Sequence, residues 1–583
     1  MQERLSRRRF VLGIGLLSAA SLLQACGPTP AATPPTAAPA APAPPATTAP
    51  APAAPTAAAK PTTAAAAAAS TTAPAAATVA PAATAAPAAA AGGAPQRGGT
   101  LTIGTAQQLQ VLDPHKGGLR LNRTGWMGLY SFLTRYDDKG VPSPMLAQSW
   151  EASADGLTVT WKLRQGVKFH NGREMTSDDV KFSIDRILNK DTGSPMRSNI
   201  TAVQEVQAPD KYTVVTRLDQ PSGTLPAALA IVSIVAKENI ADIDTKPIGT
   251  GPFRLKAFNA GQSLDLEAFP DYWEKDASGG ALPYLDAVSV KTLSDVNALF
   301  TALTTGSVQA MWQIPEQLQV QADSAPTVQL VPSKFKTTYD EWFFQADVPP
   351  FDNVVARQAF MLALDKQAMV DAGYFGKADP RWNNNIVPPG SWAEKPGIPD
   401  IKRDPAKAKQ LFEQAGVKNI LFLGYTATPQ FKPISQVMER NLAEAGVTAT
   451  LDFTDLNTWL TRIKVGNQKD AWGTNNDEVN GFAVNISVNP PEPGVALASW
   501  GCHTHFGSHF CDEELAKAAK DGASSSDLNV RKEAYARYQD IWQKDVPAVI
   551  NGVRAFTHAS IKKVHGLADD DGALNYRYAW MEK

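Results

Sequence analysis

A ten-residue segment near the carboxyl end of the chain concentrates its most reactive side chains. It begins at Cys502, ends at Cys511 and contains His503, His505 and His509, three of the seven histidines. Imidazole and thiolate groups are ligands of zinc and other transition metals, so this segment could hold a metal ion. The two cysteines could instead form a disulfide, which would remove both thiolates as ligands. The choice between these chemistries depends on whether the chain is exported.

The amino terminus has the features of an export signal. Four arginines in residues 1–25 precede an uncharged apolar run of about 16 residues, which is shorter than the roughly 20 that span a bilayer. Residues 6–12, SRRRFVL, resemble a twin-arginine signal. Residues 23–26, LQAC, resemble a bacterial lipobox and predict cleavage before Cys26 and lipidation of that cysteine. A short anchor helix is the alternative, and either arrangement leaves the body outside the cytoplasmic membrane.

Export favours the disulfide over the metal site. Cys502 and Cys511 are the only cysteines besides Cys26, and oxidation is the default for such a pair outside the cytoplasm. Closing so short a loop would stabilise the fold by ~2.5–3 kcal/mol in the chain-entropy description. We therefore predict a disulfide and no metal, and keep the three histidines as the ligands of the alternative site.

A spacer separates the signal from the body. Apart from Cys26, residues 26–97 are almost entirely Ala, Pro and Thr, and the only charged residues among them are Lys60 and Arg97. Such a composition buries too little apolar surface to offset the entropy of ordering the backbone. The sequence predicts a disordered linker that tethers the body to the membrane through the lipidated cysteine.

Composition and motifs exclude several classes of function. The chain has 55 basic and 57 acidic residues, and four of the basic ones lie in the export signal, so the body is net acidic and a poor partner for nucleic acid. The GxSxG, HExxH and GxxxxGK[ST] motifs do not occur in the sequence. We predict that the protein is not an enzyme and uses no cofactor. A secreted carbohydrate hydrolase with two carboxylates in an aromatic cleft is one alternative, and a tethered sensor domain is another.

Strand and helix patterns alternate in the body without a repeat. Residues 157–163, LTVTWKL, alternate as a half-buried strand. Thr176 and Asp179 form a capping box that opens a helix, and Asp404 followed by Pro405 opens another. This mixture predicts an α/β body with mixed α+β character.

Short motifs follow one another in order after residue 97. The longest is residues 145–188, MLAQSWEASADGLTVTWKLRQGVKFHNGREMTSDDVKFSIDRIL. Others are GTGPF at 249–253, PDYW at 270–273, PPFD at 349–352 and DVP at 545–547. Together they resemble the family 5 extracellular solute-binding proteins of ABC importers, which bind peptides, nickel or oligosaccharides.

The resemblance implies a periplasmic-binding-protein-like clamshell of two lobes with an additional third domain. Lobe I would combine residues 98–125, 246–335 and 546–583. Domain II, packed on lobe I, would be residues 126–245, and lobe III would be residues 336–545. Hinge closure would bury a solute between the lobes.

The resemblance also implies a ligand-contacting segment. Oligopeptide-binding members carry a Trp-x-x-Asp-Tyr-like stretch whose aspartate binds the peptide amine, and residues 472–478, WGTNNDE, are the matching stretch here. Trp472, Gly473 and Thr474 would line the ligand. Asn475 stands at the amine-binding position and cannot neutralise an ammonium group, although Asp477 could replace it if the backbone shifts by two residues.

Other tryptophans are further candidates for the cleft, because indole rings stack on sugars, cyclic compounds and cations. Trp500 has small and polar neighbours in the sequence, and Trp126 follows Gly125 where the chain would enter domain II. Trp342 lies near the expected start of lobe III. For each of them, core packing is the alternative.

These observations predict a membrane-tethered, monomeric binding protein that captures a solute between two lobes. It would deliver that solute, a peptide, oligosaccharide or similar compound, unchanged to the permease subunits of an ABC importer. Metal or metal-chelate binding is the alternative within the same class. The protein would be exported and held by its lipid on the outer face of the cytoplasmic membrane.

Overall fold

The structure is a computed structural model that describes residues 93–117, 120–464, 480–488, 492–502, 508–570 and 572–583. The signal, Cys26 and the predicted linker up to residue 92 lie outside the described residues. Among the described residues, no helix is both long and apolar enough to span a bilayer.

Strands occur along the whole described body. In chain order they are β1 (Thr100–Thr105), β2 (Thr134–Tyr136), β3 (Pro142–Pro144), β4 (Ala147–Ala152), β5 (Thr158–Leu163), β6 (Val203–Asp210), β7 (Thr213–Leu218), β8 (Phe253–Asn259), β9 (Ser263–Ala268), β10 (Ala287–Thr292), β11 (Ala310–Met311), β12 (Val328–Pro332), β13 (Thr338–Phe344), β14 (Asp379–Pro380), β15 (Asn419–Tyr425), β16 (Thr448–Thr454), β17 (Asn480–Val488), β18 (Ala548–Arg554), β19 (Thr557–Ile561), β20 (Val564–His565), β21 (Ala568–Asp570), β22 (Ala573–Asn575) and β23 (Trp580–Met581).

Helices are concentrated in the second half of the chain. They are α1 (Arg120–Leu129), α2 (Ser177–Leu188), α3 (Leu225–Ala228), α4 (Val296–Thr304), α5 (Glu316–Ser324), α6 (Val354–Ala363), α7 (Lys366–Tyr374), α8 (Pro405–Gln414), α9 (Phe431–Glu444), α10 (Leu456–Lys464), α11 (Gly494–Ala498), α12 (Glu513–Ser524) and α13 (Leu528–Asp545).

The three largest sheets of the described residues organise these elements. The lobe I sheet has the order β12-β19-β11-β1-β10-β9-β8, the domain II sheet has the order β4-β5-β7-β6, and the lobe III sheet has the order β14-β18-β13-β17-β15-β16. One hydrophobic cluster contains buried residues of both the lobe I and the domain II sheets, such as Val288 and Trp161. Lobe III has a core of its own, which includes Phe343 and Phe422.

Local sequence signals placed several elements correctly. Val159, Trp161 and Leu163 are the buried face of β5. Helix α2 begins directly after Thr176, whose backbone N–H donates to the Asp179 carboxylate over 3.0 Å. Helix α8 begins at Pro405, and the Asp404 side chain accepts a hydrogen bond from the Lys407 amide.

Two predicted domain boundaries differ from the structure. Residue 126 lies inside α1, and this helix packs on lobe I, where a Cβ at Gly128 would lie 2.7 Å from Leu266. Residue 546 precedes β18, which pairs with β13 in the lobe III sheet. The chain therefore returns to lobe I between Arg554 and Thr557, about ten residues later than predicted, because two successive buried strands belong to different sheets.

Candidate functional site

Strand direction defines one edge of the lobe I sheet. Strand β1 runs parallel to β10 and β11, so Thr105, Thr292 and Met311 end their strands at the same edge. Strand β19 is antiparallel to both β11 and β12, and its first residue, Thr557, pairs with Pro332. The last residue of β12 and the first of β19 therefore lie at this carboxyl edge too.

The lobe III sheet has a matching edge. Strand β15 runs parallel to β16 and β17, so these three strands end together at Tyr425, Thr454 and Val488. Strand β13 is antiparallel to β17 and pairs Thr338 with Val488, and Thr338 also pairs with Arg554 of β18. The chain therefore enters and leaves the lobe III sheet at its carboxyl edge.

Two short connections join these edges. Residues 333–337 lead from β12 to β13, and residues 555–556 lead from β18 to β19. The Ser333 amide donates to the Phe556 carbonyl over 2.7 Å, so the connections are paired with each other. A two-residue connection spans at most about 11 Å. The carboxyl edges of the two sheets therefore lie close together at this hinge, and ligands of α/β sheets bind at carboxyl edges.

Neutral amides occupy the lobe I side of this cleft. The loop that follows β1 carries Gln107, Gln108 and Gln110, all of them exposed. The hydroxyl of Thr105 shapes the loop by accepting from the Gln107 amide over 3.1 Å, and Gln110 Nε2 donates to Gln108 Oε1 over 3.1 Å. Carboxamides donate and accept hydrogen bonds without charge, which suits a ligand with alternating N–H and C=O groups.

The lobe III side combines a carboxylate with packed aromatic rings. Asp455 follows β16 directly and caps α10 by accepting from the amides of Asn457 and Thr458. The Thr458 hydroxyl, more than any other neighbour, lowers the pKa of Asp455. Behind it, Trp459 packs edge-to-face on Tyr425, with ring centroids 4.8 Å apart.

Arg554 joins the lobes at the hinge. Its guanidinium lies 3.2 Å from Asp340 of β13 and 3.1 Å from Glu316, the first residue of α5 in lobe I. It also lies over the ring of Tyr374, 4.1 Å from the centroid. Burial disfavours its charge, but Tyr374 and the two carboxylates raise the pKa of Arg554 overall. Burial raises the pKa of Asp340, against the attraction of Arg554.

The tryptophans predicted for the cleft lie in the hydrophobic cores. Trp126 is 2 % exposed and donates through Nε1 to the Val111 carbonyl. Trp342 is fully buried and stacks on Phe422, and Trp500, 1 % exposed, packs edge-to-face on Trp542. Each of the three therefore packs in a core, and contact between any of them and a ligand stays a prediction.

The other predicted ligand residues, Trp472, Gly473, Thr474, Asn475 and Asp477, lie outside the described residues. They precede β17, whose first residue, Asn480, pairs with Ile420 at the start of β15. The hinge edge of β17 is at its other end, at Val488. Contact between these five residues and a ligand stays a prediction.

The disulfide predicted between Cys502 and Cys511 is present. His509 Nδ1 lies 3.0 Å from a carboxylate oxygen of Asp347, whereas His503 and His505 lie outside the described residues. No group of three or more metal-ligating side chains suited to a metal ion occurs in the described part of the chain.

A cavity of about 580 Å³ lies away from the hinge. It is lined by β8, by His170 and by residues between 239 and 248, where domain II leads into lobe I. Both nitrogens of the His170 ring are satisfied, by the Gly251 carbonyl and the Gly249 amide. Burial lowers the pKa of His170 to about 4, so the ring is neutral. This cavity offers no histidine nitrogen for chemistry.

The cleft geometry agrees with comparisons to known proteins. A family model described as bacterial extracellular solute-binding proteins, family 5 Middle, matches residues 141–507. The chain belongs to this family. The dipeptide-binding protein of Escherichia coli K12 is 28 % identical over 76 % of this chain and 89 % of its own length. The glutathione-binding protein GsiB of Salmonella typhimurium is 27 % identical over 80 % and 91 %.

Solved structures of solute-binding proteins share the fold. The ABC transporter substrate-binding protein CtaP of Listeria monocytogenes is 23 % identical and superposes with a TM-score of 0.71, covering 84 % of this chain and all of that one. The predicted family and the two-lobed fold with a third domain are therefore confirmed. The predicted function as a substrate-binding protein of an ABC transporter is confirmed at that level.

Proposed function

We propose that this solute-binding protein takes a short peptide into the cleft between lobes I and III and passes it unchanged to an ABC permease. The observation that carries the proposal is the pair of connections at residues 333–337 and 555–556, which hold two carboxyl edges close together. A cleft formed in this way can close by rotation about two short segments.

The chemistry of the described edge supports a peptide. An extended peptide presents alternating N–H and C=O groups, which the carboxamides of Gln107, Gln108 and Gln110 can match without burying a charge. The relatives named for dipeptide and glutathione binding favour the same class of ligand. Asn475 in the predicted ligand segment favours peptides whose amine is blocked or bound elsewhere.

The proposal includes lipidation of Cys26. The spacer of about 70 residues would span ~50 Å as a coil. Together with the lipid, it would keep the body close to a membrane permease. Cys26→Ser should release the protein into the soluble extracellular or periplasmic fraction, as measured by fractionation of cells that express the full chain. Cys502→Ser serves as the control, because it removes a body cysteine and leaves the lipobox intact. Membrane retention of the Cys26→Ser protein would contradict the lipid anchor.

Native mass spectrometry of protein purified from its source tests the ligand. We expect a retained mass that fits a di- to pentapeptide, and calorimetry with a defined peptide mixture should show one site and unchanged peptides afterwards. A retained sugar mass would favour the oligosaccharide alternative. Cleaved products would indicate a hydrolase and refute binding without chemistry.

Trp472→Ala sharpens the location of the site. If the segment before β17 contacts the ligand, this change should weaken peptide binding more than tenfold without lowering the melting temperature. Unchanged affinity would show that Trp472 does not contact the ligand. If Gln108→Ala weakened peptide binding and Trp472→Ala did not, the ligand would lie at the described edge of lobe I.

A further inference from the structure

A second contact joins the two lobes away from the hinge connections. The loop between β7 and α3 in domain II reaches the end of α12 in lobe III. There the Gly223 amide donates to the Ala523 carbonyl over 2.7 Å, and Arg531 Nη1 donates to the Gly223 carbonyl over 3.2 Å. Both backbone polar groups of Gly223 are therefore bonded to lobe III.

Only a glycine fits at position 223, because the two backbones lie too close for a side chain. A Cβ at this position would lie 1.7 Å from the Ser525 carbonyl oxygen and 2.6 Å from its carbon, both of them backbone atoms that a side-chain rotation cannot move. Any other residue must push the β7–α3 loop away from α12. The close approach of the two backbones is possible because residue 223 has no side chain.

Arg531 is held in place within lobe III. Its Nε donates to the Gly522 carbonyl over 2.8 Å, and its Nη2 donates to Glu492 over 2.5 Å and to the Tyr535 hydroxyl over 3.2 Å. The guanidinium also lies over the ring of Trp392, 4.9 Å from the centroid. Its side chain is 4 % exposed. The planar fork therefore points its remaining nitrogen, Nη1, at domain II in a fixed direction.

Glu492 connects Arg531 to the start of α11. It lies two residues before Gly494, the first residue of that helix. Its Oε1 accepts from both Arg531 and the Gly494 amide. The start of α11 is thereby tied to the guanidinium that bonds to domain II.

Domain II moves with lobe I because the two share a hydrophobic cluster. A rotation of lobe III relative to lobe I therefore also moves lobe III relative to domain II, to which it is bonded at Gly223. We propose that Gly223 and Arg531 form a latch that holds the lobes closed, with Arg531 as the positioning residue that couples the latch to the start of α11. The proposal rests on closure around a solute, as in the proposed function.

The test compares Gly223→Ala, Gly223→Val and Arg531→Lys with Ser222→Ala. Ser222 lies in the same loop, and its hydroxyl bonds with Thr224 inside that loop. Small-angle scattering and amide hydrogen exchange are measured on the full body with and without a mixture of di- to pentapeptides. Circular dichroism checks that each variant is folded.

We expect both Gly223 variants to have a larger radius of gyration than the wild type and faster exchange at residues 220–225 and 520–531. Their affinity for the peptide mixture should fall about tenfold as the closed population falls. Arg531→Lys keeps the cation but cannot serve four acceptors in one plane, so it should show a smaller change in the same direction. Ser222→Ala should match the wild type.

Unchanged scattering and exchange in folded Gly223→Val would overturn the latch. If the wild type binds no peptide but the Gly223 variants still expand, the proposed ligand fails and the latch stands. If peptide binds to every variant with equal affinity, the contact does not control closure and the proposal fails alone.

Discussion

Lobe I is joined to domain II and to lobe III in two different ways. The junction with domain II combines a continuous hydrophobic cluster with buried charged groups, including Glu274, which is 7 % exposed. Glu274 contacts Arg135 of β2 at 2.7 Å and Arg577 at 3.5 Å, and it accepts from the hydroxyls of Tyr272 and Tyr578. Lobes I and III are joined by the two hinge connections of the chain. Two ion pairs of the described residues also link them, Arg554–Glu316 at the hinge and the exposed pair Lys377–Asp323.

The junction between lobe I and domain II is therefore fixed, whereas the junction between lobe I and lobe III can open. Moving domain II off lobe I would expose a shared apolar cluster and leave charges without partners, which costs several kcal/mol for each ion. Opening lobe III separates smaller contacts, such as Val141 against the lobe III core and the bonds at Gly223, and bends short segments. A binding protein needs both, because a rigid pair of domains gives the moving lobe a defined surface to close against.

Breaking the fixed junction should have the largest effect. Glu274→Gln removes the charge that Arg135 and Arg577 share and should lower the free energy of unfolding by about 3–5 kcal/mol, as measured by urea denaturation. Glu267→Gln is the matched control, because Glu267 forms an exposed pair with Arg254 at 2.6 Å. That control should change stability by less than about 1 kcal/mol, and an equal effect of both changes would contradict the comparison.

Acid should weaken the same junction through His115. This side chain is fully buried, and its Nε2 lies 2.8 Å from the Ser233 carbonyl of domain II. Burial lowers the pKa of His115 from 6.5 to about 4. The unfolded chain therefore binds a proton that the folded chain does not. This contribution to stability is complete above pH 6.5 and is lost as the pH falls towards 4, by up to about 3 kcal/mol.

Thermal unfolding of the wild type and His115→Gln between pH 7 and 4 measures this contribution. Glutamine has no proton to gain in this range, so the variant should lose less stability than the wild type over the same interval. Parallel curves for the two proteins would exclude His115 as a source of the acid sensitivity.

The sequence predicted local elements better than it predicted these junctions. Thr176 with Asp179 and Asp404 with Pro405 mark helix starts, because capping involves residues only three positions apart. The return to lobe I was misplaced because every residue of β18 is buried. An apolar strand shows that it lies inside a sheet, but its sequence does not state which sheet it joins.

For the site residues too, the local sequence did not indicate which distant residues they contact. Trp500 has small and polar neighbours along the chain, yet in the fold it packs against Trp542, 42 positions away. The latch depends on Gly223 and Arg531, which are separated by 308 positions. Neither residue has a local signature, since a glycine in a loop and an arginine on a helix are both common. Only the long-range pairing of domains distinguishes them.

Removing one charge at the hinge should affect closure of the cleft more than the stability of the fold. Glu316 belongs to lobe I, and its partner Arg554 retains Asp340 and Tyr374 within lobe III. Glu316→Gln should therefore shift the free energy of unfolding by about 1 kcal/mol or less and change the affinity for the peptide mixture up to fivefold. Calorimetric titration together with thermal melting separates the two quantities. A large fall in melting temperature with unchanged affinity would make this pair part of the lobe cores instead of the hinge.

The exposed pair between Lys377 and Asp323 should matter least. It also joins lobe III to lobe I, but the Asp323 side chain is 51 % exposed and solvent screens the attraction. Lys377→Ala should change stability by less than about 0.5 kcal/mol and leave peptide affinity within twofold. Titration in low and high salt checks this expectation. If the Lys377→Ala protein lost as much peptide affinity as Glu316→Gln, and the loss depended on salt, surface charge would hold the hinge as much as Arg554 does. The contrast between a fixed and an opening junction would then rest on the hydrophobic cluster alone.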